Sequence, residues 1–264
     1  MKYTIVGCIT KYGVDTIRPY AESVERSGFK GDKLMLVYEI SDEVIEYLTK
    51  KGWIIVQSEL QEHIILQRFR DIYALLHQYE TDVIIWTDVK DIIFQKDPTV
   101  WLEKYMKKDI LAFSECIIMK NEPWTCVNSG TTFPMEWELF TKNEISHCAG
   151  IIAGKKNAIR DLFIEIYRWS KTTANPEQLS DQAAYNVLIR LDHFKKSVQF
   201  VKQEEGFVTQ LGTTWVMKDY APILEPTPIY ENTKFYNQKG EEFAIVHQYD
   251  RDPQINIEIK NLYK

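Results

Sequence analysis

Through the first third of the chain, short runs of consecutive apolar residues alternate with segments in which apolar residues recur every three or four positions. Tyr3 to Thr10 is a continuous apolar run, as expected of a strand buried on both faces. Arg18 to Gly28 reads as a helix and Lys33 to Glu39 as a second strand. Ser41 and Asp42 supply N-cap chemistry for a helix ending near Lys51, with Gly52 after it, before a strand over Trp53 to Gln57. From Glu62 to Tyr79 the residues Ile65, Phe69, Ile72, Leu75, Leu76 and Tyr79 fall on one helical face, and Asp82 to Thr87 follows as a fourth buried strand. Strands alternating with helices in this way predict an α/β fold with a mostly parallel central sheet flanked by helices. Beyond residue 100 the strands shorten, with helices predicted at about 99–107, 157–170 and 179–190. The tail from Pro222 is rich in Pro and Tyr and weakly periodic. No repeat, low-complexity linker or charge block interrupts the chain, which predicts one domain over 1–264. About 1–98 would bind a nucleotide at the carboxyl ends of the strands, and about 99–264 would build the other wall of the cleft.

The composition, 45% apolar and 27% charged, is that of a globular chain rather than a fibrous or disordered one. Basic residues number 32 against 38 acidic and are scattered, so the electrostatic footprint of a nucleic-acid partner is missing. No apolar run is long enough to span a bilayer, and Lys11 interrupts the opening stretch before an export signal could form. A cytoplasmic chain with no integral membrane segment is the expectation. Cys8, Cys116, Cys126 and Cys148 stand singly, without zinc or redox spacing. Aromatic residues reach 13%, enough to supply flat surfaces for bases or sugar rings as well as core.

The chemistry concentrates in VIIWTDVKDIIFQKDP, residues 83 to 98. Two carboxylates, Asp88 and Asp91, follow a buried strand and need compensation there. A divalent cation would provide it, since Mg²⁺ and Mn²⁺ take carboxylate oxygens together with substrate phosphates. Surface pairing of Asp88 with Lys90 and of Asp91 with Lys96 would serve as well. Gly150 and Gly154, in HCAGIIAG, suggest a close backbone approach or a bulge, or simply a core strand containing glycines. Ser180 is placed to cap a helix beginning SDQAAYN, leaving Asp181 exposed or turned towards a ligand at that helix start. Residues 121 to 133, NEPWTCVNSGTTF, read as a flexible ligand-contacting loop or a plain surface excursion. His63, His77 and His193 lie on helical stretches and carry no predicted role.

The string TDVKDIIFQKDP resembles the DxD region of GT-A glycosyltransferases, and in particular an Asp-x-(Arg/Lys)-Asp-x-x-Phe-Gln-x-Asp-Pro segment found in viral, bacterial and plant glycosyltransferase-like proteins. Here the carboxylates are spaced more widely than in a strict DxD; aligned on the apolar triplet, Asp91 takes the place of the second Asp. The resemblance implies a single GT-A, Rossmann-like domain in which Asp88 and Asp91 hold Mn²⁺ or Mg²⁺ against a sugar-nucleotide diphosphate. GT-A enzymes commonly complete the metal site with a C-terminal His, which implies His247 in AIVHQYDRDP. SDQAAYN is similar to the Asp-Gln-x-x-x-Asn helix start of glycosyltransferase family 8, which implies that Asp181 and Gln182 face the donor sugar. Thr10 and Tyr12 would then hold the base and ribose, Arg68 would face the nucleotide or else stand as an ordinary helix-surface arginine, and Tyr249, Asp250 and Arg251 would line the phosphate or acceptor side.

The implied activity is transfer of a hexosyl or pentosyl group from a nucleotide sugar, a UDP sugar first of all, to a hydroxyl of a glycan or glycoconjugate. In an inverting enzyme Asp181 would take the acceptor proton; in a retaining one Asp181 and Gln182 would position the oxocarbenium-like sugar. A non-catalytic nucleotide-sugar or carbohydrate-binding domain of the same fold is the alternative. A metal-dependent nucleotidyltransferase is a third possibility, but CITKYGVD is a poor phosphate loop.

Overall fold

The computed structural model describes residues 1–173 and 180–264. Strands and helices alternate as β1 (Tyr3–Thr10), α1 (Val14–Arg26), β2 (Asp32–Tyr38), α2 (Asp42–Lys50), β3 (Ile54–Gln57), α3 (Ile64–Gln78) and β4 (Val83–Thr87). There follow β5 (Ile92–Phe94), α4 (Pro98–Tyr105), β6 (Ile110–Ile118), α5 (Pro123–Thr132), α6 (Pro134–Glu136), β7 (Ile145–Lys155) and α7 (Lys156–Lys171). The remainder contains α8 (Ser180–Leu188), α9 (Asp192–Lys195), β8 (Val198–Val201), β9 (Val208–Gln210), α10 (Leu211–Thr214), β10 (Ile229–Glu231), β11 (Lys234–Tyr236), β12 (Ile245–His247) and α11 (Pro253–Leu262).

A seven-stranded sheet runs in the order β3-β2-β1-β4-β7-β6-β8, and only β7 opposes the direction of the rest. Alternate residues of each central strand enter different cores, as the pleat requires. Ile5, Ile9, Val83 and Ile85 pack beneath α1 and α2, with Tyr20, Val24 and Leu48. Val6, Ile84 and Trp86 pack on the other face with Phe69, Phe163 and Tyr185 from α3, α7 and α8. This two-sided burial explains why these strands read as unbroken apolar runs. The chain leaves β1 towards β2 and β3 and then returns to β4 on the other side. Strand order therefore switches between β1 and β4, where open α/β sheets leave a crevice at their carboxyl ends. A small second sheet, β5-β12-β9, sits beside that crevice.

Several boundaries differ from the sequence expectation. Helix α1 starts at Val14 and runs through Pro19, where burial of Ile17, Tyr20 and Val24 outweighs the missing backbone donor. Residues 121 to 133 are mostly helix: Glu122 caps α5 and Pro123 occupies its first position, so the segment is not a loop. The weakly periodic tail contains the β10–β11 hairpin and α11, whose Ile255 and Ile259 pack with Phe235, Phe243 and Val246. The predicted start of the 179–190 helix at Leu179 lies outside the described residues, and Ser180 is the first described helical residue. Among the described residues, no helix is long and apolar enough to cross a membrane.

Candidate functional site

At the carboxyl end of the sheet lies a cavity of about 630 Å³, lined in part by Arg68, Asp88, Asp91, Glu115, Gln182 and His247. A depression of about 710 Å³ at the opposite edge is lined by Asp82, Asp109, Lys155 and Lys156. There Lys155 and Asp109 neutralise each other at 2.7 Å. It is the carboxyl-end cavity that gathers buried acids and bases.

The second sheet assembles one corner of this cavity. Antiparallel pairing sets His247 opposite Ile92, which brings the preceding Asp91 beside the imidazole; parallel pairing sets His247 opposite Gln210. Asp91 Oδ1 lies 3.5 Å from His247 Nε2, and Gln210 Oε1 lies 2.7 Å from His247 Nδ1. An Nδ1–H donated to Gln210 leaves Nε2 facing Asp91 and available as a ligand. Gln248, in the left-handed region at φ 61°, donates its N–H to the Asp91 carbonyl at 2.8 Å. Tyr249 donates to the Lys90 carbonyl at 3.1 Å, so the C-terminal segment clamps the Asp88–Asp91 turn from below.

Asp88 follows β4, and its N–H donates to the Gly150 carbonyl at 2.6 Å. Its carboxylate accepts from Arg68 at 2.8 Å, while the other arm of the same guanidinium donates to Asp181 at 2.7 Å. Arg68 lies over the rings of Phe69 and Trp86 and is buried, which excludes an ordinary helix-surface role. Gln182 accepts from the Ala149 N–H at 2.9 Å and donates to Glu115 Oε2 at 2.9 Å. Ser146 also donates to that oxygen. A Cβ at Gly150 would stand 2.5 Å from Asp88 Oδ2 and 3.1 Å from His247 Cε1, so a side chain here would displace one or both of them.

Asp88, Asp91 and His247 each offer a ligand atom, all within 4.8 Å of one another. Burial pushes the Asp88 carboxyl up; Arg68 pulls against that push and Asp91 adds to it, with a net rise. Burial opposes ionisation of Asp91 too, but the charge and hydrogen bond of His247 hold its carboxyl below the ordinary value. Against burial, Cys148 and Asp91 hold the imidazole well above its ordinary value. The three groups together could hold a divalent cation.

The other expected residues fall into two groups. Arg251 lines the cavity and lowers the Asp91 carboxyl by its charge. Asp181 is buried against Arg68 rather than exposed at a helix start. Thr10 and Tyr12 lie at the end of β1 but do not line the cavity. The Thr10 hydroxyl is buried without a hydrogen-bond partner among the described residues, and the Tyr12 hydroxyl is pushed up by burial and then by Asp88 and Asp91. Tyr249 and Asp250 do not line it either: Tyr249 is buried, and Asp250 pairs with Lys90 at 3.2 Å. That pair, with Arg68 on Asp88 and His247 on Asp91, replaces the surface pairing of Asp88 with Lys90 and Asp91 with Lys96.

Sequence reasoning missed Glu115 and Gln210. Glu115 left a signal, a single acid inside the apolar run Ile110 to Ile118. Gln210 left none, because its role follows from strand pairing alone. No protein-family model matches the chain, and no curated protein matches it.

Proposed function

We propose that the chain is a metal-dependent glycosyltransferase of the GT-A type, moving a sugar from a nucleotide sugar, a UDP sugar first, to a hydroxyl of a glycan or glycoconjugate. The observation that carries this reading is the convergence of Asp88, Asp91 and His247 at the carboxyl end of the sheet, beside the β1–β4 switch point. These residues would hold Mn²⁺ or Mg²⁺, and the bound ion would supply Lewis-acid stabilisation of charge on the leaving diphosphate. Arg251, on the cavity wall, suits a bidentate phosphate contact. Arg68 fixes Asp88 and Asp181 at one spacing, and Gln182 ties β7 to Glu115, so the wall facing the donor sugar is held rigid.

One observation favours a second reading, binding of a nucleotide sugar without transfer. Asp181 and Gln182 commit their polar atoms to Arg68, Ala149 and Glu115. The deciding experiment is release of the nucleoside diphosphate, UDP or GDP, from a panel of UDP and GDP sugars with Mn²⁺, Mg²⁺ or EDTA, using wild type and Asp91→Asn. Metal-dependent release from one donor, lost in the variant, establishes the transferase. Tight donor binding by calorimetry without release leaves the binding module, and turnover that survives in Asp91→Asn removes Asp91 from the metal site.

A further inference from the structure

Among the described residues, the carboxylates lining the cavity are Asp88, Asp91, Glu115, Glu122 and Asp181. Four of them already have a structural partner. Asp88 and Asp181 share Arg68, Asp91 pairs with His247, and Glu122 caps α5 by accepting from Trp124 and Thr125. Glu115 is held only by neutral donors, the Ser146 hydroxyl and the Gln182 amide. Its backbone is fixed as well, since Thr213 donates to the Glu115 carbonyl at 2.6 Å. The next residue, Cys116, sits in the left-handed region at φ 59°, within the stretch where β6 and β7 slip register. A strained residue beside a rigidly held, buried carboxylate is an arrangement that stability alone does not call for.

We infer that Glu115, rather than Asp181, accepts the proton of the acceptor hydroxyl, an assignment that rests on the transferase reading. The acceptor oxygen forms its bond to the anomeric carbon as its proton passes to the Glu115 carboxylate. The bond from that carbon to the diphosphate oxygen breaks, and its electron pair leaves with the nucleoside diphosphate. This is a direct displacement with inversion. Asp181 is less well placed for this role, because its carboxylate is committed to the Arg68 guanidinium at 2.7 Å. Burial raises the Glu115 carboxyl; the charged groups facing it are Glu122, which adds to the rise, and His247, which opposes it. A raised carboxyl in contact with the cavity is a stronger base than an ordinary one.

The test compares an acceptor that must lose a proton with one that has none to lose. UDP release from UDP-glucose, UDP-galactose and UDP-N-acetylglucosamine is measured with water and with azide as acceptor, in wild type and Glu115→Gln. Water-supported release should fall about 100-fold or more in the variant, with azide-supported release kept within about 3-fold. Equal losses with both acceptors would make Glu115 structural, and no loss with either would remove it from the reaction; each overturns the assignment. If Glu115→Gln does not fold, the same ratio is read on Glu115→Asp, where water-supported release should again fall further. If none of these three is a donor, the comparison is made with the donor found in the wider panel of UDP and GDP sugars. Wild type that releases nucleoside diphosphate from no member of that panel defeats the transferase reading itself, and the assignment with it.

Discussion

The two sides of the central sheet are built by different rules. From β3 to β4 the parallel ladders run without a break in register. Between β6 and β7 the register slips: Ala112 faces Ile152, yet Ser114 faces His147, so Cys148 to Ile151 stand opposite Phe113 alone. Backbone groups released there are met by side chains from the α8 segment. Gln182 accepts from Ala149 at 2.9 Å, Asn186 bonds both backbone groups of His147 at 3.0 and 2.8 Å, and Arg190 donates to the Ile145 carbonyl at 2.5 Å. Four residues of helix rise about 6 Å and two of strand about 6.6 Å, so residues 182, 186 and 190 keep step with 149, 147 and 145. An interrupted ladder hands its hydrogen bonds to a helix, and the freed strand turns Cys148, Ala149 and Gly150 into the cleft.

Arg68 ties the two sides together, reaching from α3 to Asp88 after β4 and to Asp181 on α8. The largest effect should follow from removing it. Arg68→Met leaves two carboxylates without their cation and should cost about 3–5 kcal/mol in urea denaturation without divalent ions. Because Asp88 is 33% exposed, the lower end of that range is expected. Adding Mn²⁺ should recover part of the loss by re-pairing Asp88. A loss below about 1 kcal/mol would mean that the carboxylates do not need Arg68, and that the two sides are held together by packing alone.

The two glycines of β7 sharpen the contrast, one in each regime. A Cβ at Gly154, where β7 is in register with both neighbours, would lie 2.2 Å from the Asp109 carbonyl oxygen and 3.0 Å from Ile110 Cα. Backbone cannot yield cheaply, so Gly154→Ala should cost about 1–3 kcal/mol or more. At Gly150 the obstacles are the ends of Asp88 and His247, which can move. Gly150→Ala should therefore lose less stability but bind Mn²⁺ about 10–100-fold more weakly, because both ligands shift. Calorimetric Mn²⁺ titration beside thermal melts of both variants checks this. Equal loss of stability with metal affinity intact would place Gly150 in the same class as Gly154.

The same contrast explains what could be read from the sequence. Strands such as Tyr3–Thr10 and Val83–Thr87 were legible because burial on both faces makes them apolar throughout. The acids Asp88 and Asp91 were legible because two charges after a buried strand need a reason to be there. The irregular side was not. Nothing local in His147 to Gly150 announces a register slip, and although SDQAAYN was singled out through a resemblance, nothing in it shows that Gln182 and Asn186 bond to the backbone of β7. Residues 121 to 133 were misread because the glycine and polar residues of NSGTT outweighed the cap at Glu122 and Pro123. His247 was reached through a resemblance, while Gln210 and Arg190 act through partners distant in sequence and left no trace.

The smallest effect concerns His147, at the centre of the slipped segment. Its Nδ1 lies 2.9 Å from the Ile145 carbonyl and 3.2 Å from Arg190, and Asn186 holds its backbone on both sides. Burial, and then the Arg190 guanidinium, lowers its pKa to about 3. An unfolded chain protonates the same group near 6.5, so below that pH the unfolded state binds more protons and is favoured. Stability from this group is complete above pH 6.5 and is lost as pH falls towards 3, at up to about 1.4 kcal/mol per pH unit. From pH 6.5 to 5.5 the loss should come to about 1 kcal/mol. Carboxylates contribute their own dependence, so the informative quantity is the difference from His147→Gln, which keeps a donor for Ile145 but does not titrate. Wild type should lose about 1 kcal/mol more than the variant across that interval. Superimposable pH profiles would mean that His147 accepts a proton in the folded state, which requires Arg190 to swing away and the Ile145 end of the α8 ladder to open.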